Sequence, residues 1–97
     1  METKNQQSFS LDILTGNWES VNLNPTIIIY KNDDTYLLSI IHINETTMQA
    51  TPSTYDIQVD EDESRYFINY NSKRTVVEYD AKLDLLSLSS LGDYIRN

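Results

Sequence analysis

The feature that most constrains the fold is a succession of short β-type segments separated by breaks of a few residues. The breaks are rich in Asn, Asp and Ser, which favour turns. Parallel crossovers need a dozen or more residues, so these breaks predict hairpins. The predicted strands are 17–22, 26–31, 35–43, 48–60, 65–70, 74–79 and 83–89. This pattern predicts an all-β fold, an antiparallel meander of about seven or eight strands that curls into a small barrel. An open or two-layer sheet completed by dimerisation is the alternative.

Residue patterns within the segments predict which strand faces are buried. Segments 55–60 and 65–70 alternate between apolar and polar residues, which is typical of strands with one wet face. Segments 26–30 and 36–43 are apolar on both faces, so they lie centrally with both faces covered or meet an oligomer partner. Pro52 lacks the N–H of a ladder bond and therefore marks a bulge, a sheet edge or a division of its segment in two.

A short helical turn is predicted before the first strand, over residues 8–15. Ser8 or Ser10 can cap the turn and Gly16 can end it. The residues expected on its apolar face are Phe9, Ile13 and Leu14. Residues 1–8 are predicted to be a flexible tail, and residues 9–97 a single β domain whose interior is mostly filled.

Charge and composition narrow the classes of partner. The 97 residues include 7 Lys and Arg against 15 Asp and Glu, for a net charge of −8. Binding to nucleic acid or to anionic membranes depends on clustered basic residues, so neither partner is expected. Cations or basic partners suit this charge better. The chain has no cysteine, which excludes disulfides and thiolate sites. A polar N-terminus without an apolar run predicts no signal peptide and a cytoplasmic location.

The residues at the entry to the first strand resemble a known family. Gly16-x-Trp18 after a short helical turn is similar to the first-strand signature of lipocalins and other calycins. Arg96 corresponds in this resemblance to the terminal arginine that packs over the family's tryptophan. The resemblance therefore implies that Gly16, Trp18 and Arg96 close one end of a small barrel, with the guanidinium stacked on the indole.

A broader pattern resembles a family of short uncharacterised proteins from gut Bacteroidetes. The pattern combines Gly16-x-Trp18-x-Ser20, the segments 25–30 and 36–43, and Gly92-x-Tyr94. Proteins of that family are lipocalin-like in appearance and have no assigned activity. The resemblance thus implies a fold and supplies no mechanism.

Residues that could carry catalysis or bind a metal are few. His42 is the only histidine, and an enzymatic role would require a carboxylate to orient it. The acidic run Asp60, Glu61, Asp62 and Glu63 lacks the glycine and the ligand spacing of a calcium loop. A solvated hairpin tip is the better interpretation, with cation binding left open. We therefore predict a non-enzymatic protein with no catalytic residue, metal site or cofactor.

Seven tyrosines are the strongest functional signal in the sequence. Tyrosine combines an apolar body with a polar tip, which suits a ligand cavity or an interface, although it is also a common strand former. The first hypothesis is a non-catalytic binding module for a small apolar or aromatic ligand. Its predicted lining residues are Tyr30, Tyr36, Tyr66 and Tyr70. The alternative is a protein-interaction or self-association domain, in which an exposed strand face or tyrosine-rich acidic surface meets a partner or a second copy.

Overall fold

A computed structural model of the protein describes residues 10–62 and 65–97. The predicted tail 1–8 and Phe9 lie outside the described residues. A 3₁₀ turn, Leu11–Leu14, precedes the sheet. The strands are β1 (Gly16–Ser20), β2 (Thr26–Asn32), β3 (Thr35–Asn44), β4 (Gln49–Asp56), β5 (Gln58–Asp60), β6 (Arg65–Tyr70), β7 (Lys73–Asp80), β8 (Leu85–Leu88) and β9 (Gly92–Arg96). No helix among these residues is long and apolar enough to cross a membrane.

The strands form one antiparallel sheet that is nearly closed into a barrel. Their order is β4-β3-β2-β1-β9-β8-β7-β6-β5, so β4 and β5 are the two edges. Only Ile57 separates these edges along the chain, and its N–H donates to the carbonyl of Tyr36 on β3 at 2.9 Å. Gln58, the next residue, already pairs with Phe67 of β6. One chain segment therefore changes its partner from β3 to β6 at Ile57 and joins the two edges. The predicted all-β meander and small barrel are confirmed.

The partner change at Ile57 explains where the predicted strands differ from the observed ones. The sequence pattern predicts one strand over residues 48–60 that could be divided at Pro52, whereas the observed division falls at Ile57. Because Ile57 donates to β3, alternation directs the nitrogen of Pro52 away from β3 toward the free edge. Pro52 therefore removes no hydrogen bond from the ladder between β3 and β4. Of the three alternatives that the sequence left open, the position at a sheet edge is the one observed. The prediction missed β9, since Gly92–Arg96 carries both charge and glycine and lacks a run of strand-forming residues.

Side chains from alternate positions fill the barrel interior. Trp18, Tyr94 and Ile68 are fully buried, as are apolar residues of β2, β3 and β8. Five further tyrosines pack against this cluster as partly buried residues: Tyr36, Tyr55, Tyr66, Tyr70 and Tyr79. Large side chains at these inward positions leave little room at the centre of so small a barrel. The core therefore supports the fold, and any open volume lies near the ends.

The 3₁₀ turn closes one end of the barrel, but with a different apolar face from the predicted one. The Ser10 side chain caps the turn by accepting from the N–H of Asp12 at 3.2 Å. Leu11 and Leu14 are buried, whereas Ile13 is 48% exposed. The predicted contact face therefore needs correction at Ile13. A 3₁₀ turn has three residues per turn, so Leu11 and Leu14 share the buried face and Ile13 lies off it.

Candidate functional site

The base of the barrel is the end that carries the 3₁₀ turn, the first residue of β1 and the last residues of β9. The hairpin turns between β2 and β3 and between β7 and β8 reach the same end because the strands are antiparallel. Two tyrosine–aspartate hydrogen bonds lie there, one on each side of the 3₁₀ turn. One side is closed by a network around Trp18, and the other contains an opening in the sheet.

Trp18 and Arg96 occupy the closed side. The guanidinium carbon of Arg96 lies 4.3 Å from the centroid of the Trp18 ring, and the two residues are register partners on β9 and β1. Trp18 is fully buried, and its Nε1 donates to the Leu14 carbonyl at 2.8 Å. Arg96 donates to the Ile13 carbonyl at 2.9 Å and to the Thr15 carbonyl at 3.3 Å. These bonds join the 3₁₀ turn to both terminal strands of the domain.

Asp84 completes the closed side by neutralising Arg96. Its carboxylate accepts from Nε and Nη2 of Arg96 at 2.9 and 3.0 Å, and from the Tyr79 hydroxyl at 2.7 Å. The hydrogen bonds from Arg96, and to a smaller extent the one from Tyr79, hold the pKa of Asp84 below its usual value. The hydrogen bond to Asp84 is also the main cause of the raised pKa of the Tyr79 hydroxyl. Each charged group in this network has an opposite charge in direct contact.

Gly16 has a backbone conformation that suits the tight entry to β1. Its φ is +134°, a region that other residues rarely adopt. A Cβ there would lie 3.6 Å from Nη1 of Arg96, which is an ordinary contact distance. The need for glycine at this position therefore comes from backbone strain rather than from lack of space.

The opening lies where the chain leaves β3 for β6. Past Ile57 the first residues of β3 have no ladder partner in β5, so a wedge remains between Tyr36 and Val59. It is a depression of about 440 Å³. Its lining residues are Ser10, Leu11, Asp34, Thr35, Tyr36, Ile57, Val59 and Tyr66. Val59 pairs with Tyr66 on the inner face of the sheet and is nevertheless 54% exposed. An inward-facing apolar side chain is therefore accessible to solvent.

The second tyrosine–aspartate bond lies at this opening. The Tyr36 hydroxyl donates to the Asp12 carboxylate, and this bond is the main cause of the raised pKa of Tyr36, with a smaller effect of burial. The ammonium of Lys31 lies 5.5 Å from the centroid of the Tyr36 ring, within cation–π range. Within the described chain, Asp12 has no salt bridge to a basic side chain.

The four predicted lining tyrosines have different locations. Tyr36 and Tyr66 both line the opening. Tyr70 lies in the seam between β4 and β6, where its ring meets that of Tyr55 edge to face at 5.7 Å. Tyr30 follows the buried Ile29 on β2, so it faces outward and is 38% exposed. The sequence thus identified two residues of the opening, and the alternation of β2 excludes Tyr30 from the inner face.

Six of the described lining residues were missed by the sequence analysis: Ser10, Leu11, Asp34, Thr35, Ile57 and Val59. Ile57 and Val59 were assigned to a half-buried strand, and nothing in their alternation shows that the strand changes partner between them. Asp34 was assigned to a hairpin turn, which is correct, but the turn also borders the opening. The alternation of Tyr55, Ile57 and Val59 does predict one shared face, which is the available signal.

The other sequence candidates lie elsewhere. His42 is half-buried on β3 opposite Thr51, and over residues 10–62 and 65–97 no ion pair joins it to a carboxylate. In the acidic run, Asp60 accepts from Arg74 at 2.6 Å, and Glu63 lies outside the described residues. No group of three acidic or histidine side chains in the described ranges is arranged to hold a metal ion.

A second depression, of about 700 Å³, lies along β7 and β8 beside Tyr79. Three of its seven lining residues are charged: Glu78, Asp80 and Lys82. It is an open surface depression bordered by the turn between β7 and β8. The opening at Ile57 is the better candidate because its apolar wall belongs to the inner face of the barrel.

Comparison with known proteins identifies a family to which no activity is assigned. No curated protein and no solved structure matches the chain significantly. A family model described as "Domain of unknown function, B. Theta Gene description (DUF3876)" matches residues 2–96. The predicted membership of an uncharacterised family is therefore confirmed, and the lipocalin likeness stays a prediction. The chain belongs to this family of unknown function.

Proposed function

We propose that the protein is a non-catalytic binding module that holds a small apolar or aromatic ligand in the opening at Ile57. The observation that carries the proposal is the exposure of Val59, which is 54% accessible although it faces the barrel interior. An inward apolar side chain that stays in contact with water does not contribute the hydrophobic stabilisation that it would contribute if it were buried in a well-packed barrel. A ligand that covers Val59 would restore it.

The lining has the composition expected of a small-ligand site. Leu11, Ile57 and Val59 supply apolar surface, and the rings of Tyr36 and Tyr66 supply flat faces that stack on aromatic ligands. Ser10, Thr35 and Asp34 supply polar atoms at the rim. A volume of about 440 Å³ falls within the usual range of ligand sites, roughly 300–1,000 Å³.

The first experiment is an NMR titration of the protein with benzyl alcohol, a neutral aromatic probe, following backbone amide shifts. We expect saturable shifts at Thr35, Tyr36, Val59 and Tyr66, with a dissociation constant on the order of 1–10 mM for so small a ligand. Shifts that do not saturate, or that cluster on another face, would overturn the proposal.

A substitution that fills the opening provides the matched control. Val59→Phe places an aromatic ring, which is larger than the valine side chain, in the opening. This variant should lose the saturable shifts, and its spectrum should stay as dispersed as that of the native protein. Val21→Phe makes the same change at a position that is 50% exposed and outside the opening. It should bind benzyl alcohol as the native protein does. Equal binding by both variants would place the ligand elsewhere.

A second candidate function, protein interaction or self-association, is favoured by the outer face of β2 and β3. The sequence predicted that these two strands are covered on both faces or meet a partner. Their outward apolar side chains are half-buried or exposed: Ile28, Tyr30, Leu37, Ile41 and Ile43. Tyr30 and Leu37 are direct register neighbours, and Ile43 is 52% exposed. A shared apolar surface of this kind is typical of an interface.

Native mass spectrometry across a range of protein concentrations tests the second candidate. A dimer that Ile43→Glu disrupts, and that Val21→Glu at an exposed position in the turn after β1 leaves intact, would support an interface on the β2–β3 face. A monomer at all concentrations would remove self-association.

A further inference from the structure

The geometry points to a cationic ligand: we infer that the opening selects a small aromatic or apolar amine over its neutral and anionic analogues. This inference rests on the proposed function and specifies the ligand class for the same site. It is carried by three features, namely a tyrosine–aspartate pair that no salt bridge between described residues neutralises, an aromatic ring that already attracts a cation, and an acidic rim.

The two tyrosine–aspartate pairs at the base differ in one group. On the closed side Asp84 bonds the Tyr79 hydroxyl and also receives two bonds from Arg96, with nitrogen–oxygen distances of 2.9 and 3.0 Å. At the opening Asp12 bonds the Tyr36 hydroxyl, and in the described part of the chain no salt bridge reaches it. A bound amine would supply beside Asp12 the positive charge that Arg96 supplies beside Asp84.

Tyr36 shows that its ring attracts cations. The Lys31 ammonium lies 5.5 Å from the ring centroid, at the distance where the ring quadrupole stabilises a positive charge. Lys31 is an exposed residue on a flexible stem. A ligand ammonium that takes the place of the Lys31 ammonium at this ring would gain the same stabilisation, and its apolar body would be buried against Val59.

The charges around the opening favour the same class of ligand. Among the lining residues that the structure describes, Asp34 alone is charged, and Asp33 precedes it in the turn. The net charge of the protein is −8, which raises the local concentration of cations and repels anions. A carboxylate ligand would meet the charge of Asp34, and the described lining contains no basic side chain to offset it.

The experiment compares three probes of similar size by NMR titration at low ionic strength: benzyltrimethylammonium, benzyl alcohol and benzoate. We expect the ammonium to bind about two- to fivefold more tightly than the alcohol, as for a partly exposed ion pair, and benzoate to bind most weakly. Shifts should occur at Thr35, Tyr36 and Val59 for every probe that binds.

Neighbouring aspartates give a matched pair of variants. Asp34→Asn removes the charge that lines the opening and should reduce the ratio of ammonium affinity to alcohol affinity by about two- to fivefold. Asp33→Asn removes the adjacent charge outside the lining, at a positive φ of 58° that asparagine tolerates, and should have a smaller effect. Equal losses in both variants would mean that net charge alone attracts the ammonium and would overturn the inference.

The outcomes separate this inference from the proposed function. Equal binding of ammonium and alcohol at the opening overturns the cation preference and leaves the binding module intact. No saturable binding by any probe overturns both. Tighter binding of the ammonium than of the alcohol, with shifts at Tyr36 and Val59 for both probes, supports both.

Discussion

The two sides of the barrel base place the same pair of groups in different surroundings. On the closed side, Tyr79 donates to Asp84, which Arg96 neutralises while its guanidinium covers Trp18. On the open side, Tyr36 donates to Asp12 beside a wedge of about 440 Å³. The first arrangement is complete within the chain, whereas the second has an exposed apolar wall and an aspartate outside any described ion pair.

One side of the base closes the barrel, and we propose that the other side binds the ligand. β1 and β9 are hydrogen-bonded neighbours, so their side chains can form a fixed network across a continuous ladder. β3 and β5 share no ladder past Ile57, so their side chains border a gap. Changes on the closed side should therefore alter stability, and changes on the open side should alter ligand binding.

The largest expected effect is that of Trp18→Ala on the closed side. Removing a fully buried indole should lower the free energy of unfolding by about 3–5 kcal/mol, measured by urea denaturation. Tyr30→Ala, at an outward position that is 38% exposed, should cost about 1 kcal/mol or less. If the two variants lost similar stability, Trp18 would not be the centre of the closed side.

Arg96→Gln should have the next largest effect. It removes the stacking on Trp18, the ion pair with Asp84 and the bonds to two carbonyls of the 3₁₀ turn region, and should cost about 1–2 kcal/mol. Arg65→Gln is the control, because its contact with Glu78 is 4.0 Å long and exposed, and should change stability by less than about 0.5 kcal/mol. Equal losses in urea denaturation would contradict a specific role for Arg96.

Acidification should weaken the closed side by a smaller amount. Because Asp84 has a lowered pKa in the folded protein, the unfolded chain binds its proton first as the pH falls. Its stabilising contribution is therefore present above the pKa of an unfolded aspartate, near 4, and is lost as the pH falls through the lower folded value. The stability difference between the native protein and Asp84→Asn, followed by urea denaturation from pH 7 to pH 3, should shrink. A constant difference would contradict the assigned coupling.

Tyr36→Phe should have the smallest effect on stability. The substitution keeps the ring and removes only the hydroxyl bond to the exposed Asp12, so the free energy of unfolding should change by about 0.5 kcal/mol or less. Tyr79→Phe should cost more, because Asp84 loses a partner within a charged network. The reverse order in urea denaturation would mean that the open side also carries stability.

Much of the closed side was predictable from sequence, because it depends on local signals. Glycine before a strand marks a tight entry, and a lone tryptophan two residues later is a large group that must be buried. The contact of Arg96 with Trp18 was expected from the family resemblance and is present at 4.3 Å. Asp84 was not anticipated, since a turn aspartate that binds a distant arginine has no local pattern.

The open side was less predictable because it depends on a change of strand partner. Alternation indicates which residues share a face, and it correctly groups Tyr66 with Ile68 and Tyr70, whereas β3 is apolar on both faces and gives no such signal for Tyr36. It cannot show that the chain leaves β3 at Ile57 and pairs with β6 from Gln58 onward. Non-local pairing decides that point, so the wedge and the exposure of Val59 emerge only in the folded structure.

The most direct test of the division between closure and binding is a measurement of intermolecular NOEs between benzyltrimethylammonium and the protein. We expect NOEs from the probe to the Val59 methyls and to the Tyr36 and Tyr66 rings, and none to Trp18. NOEs that place the probe on the closed side or on the outer face of β2 and β3, or the absence of any NOE at a saturating concentration, would contradict it.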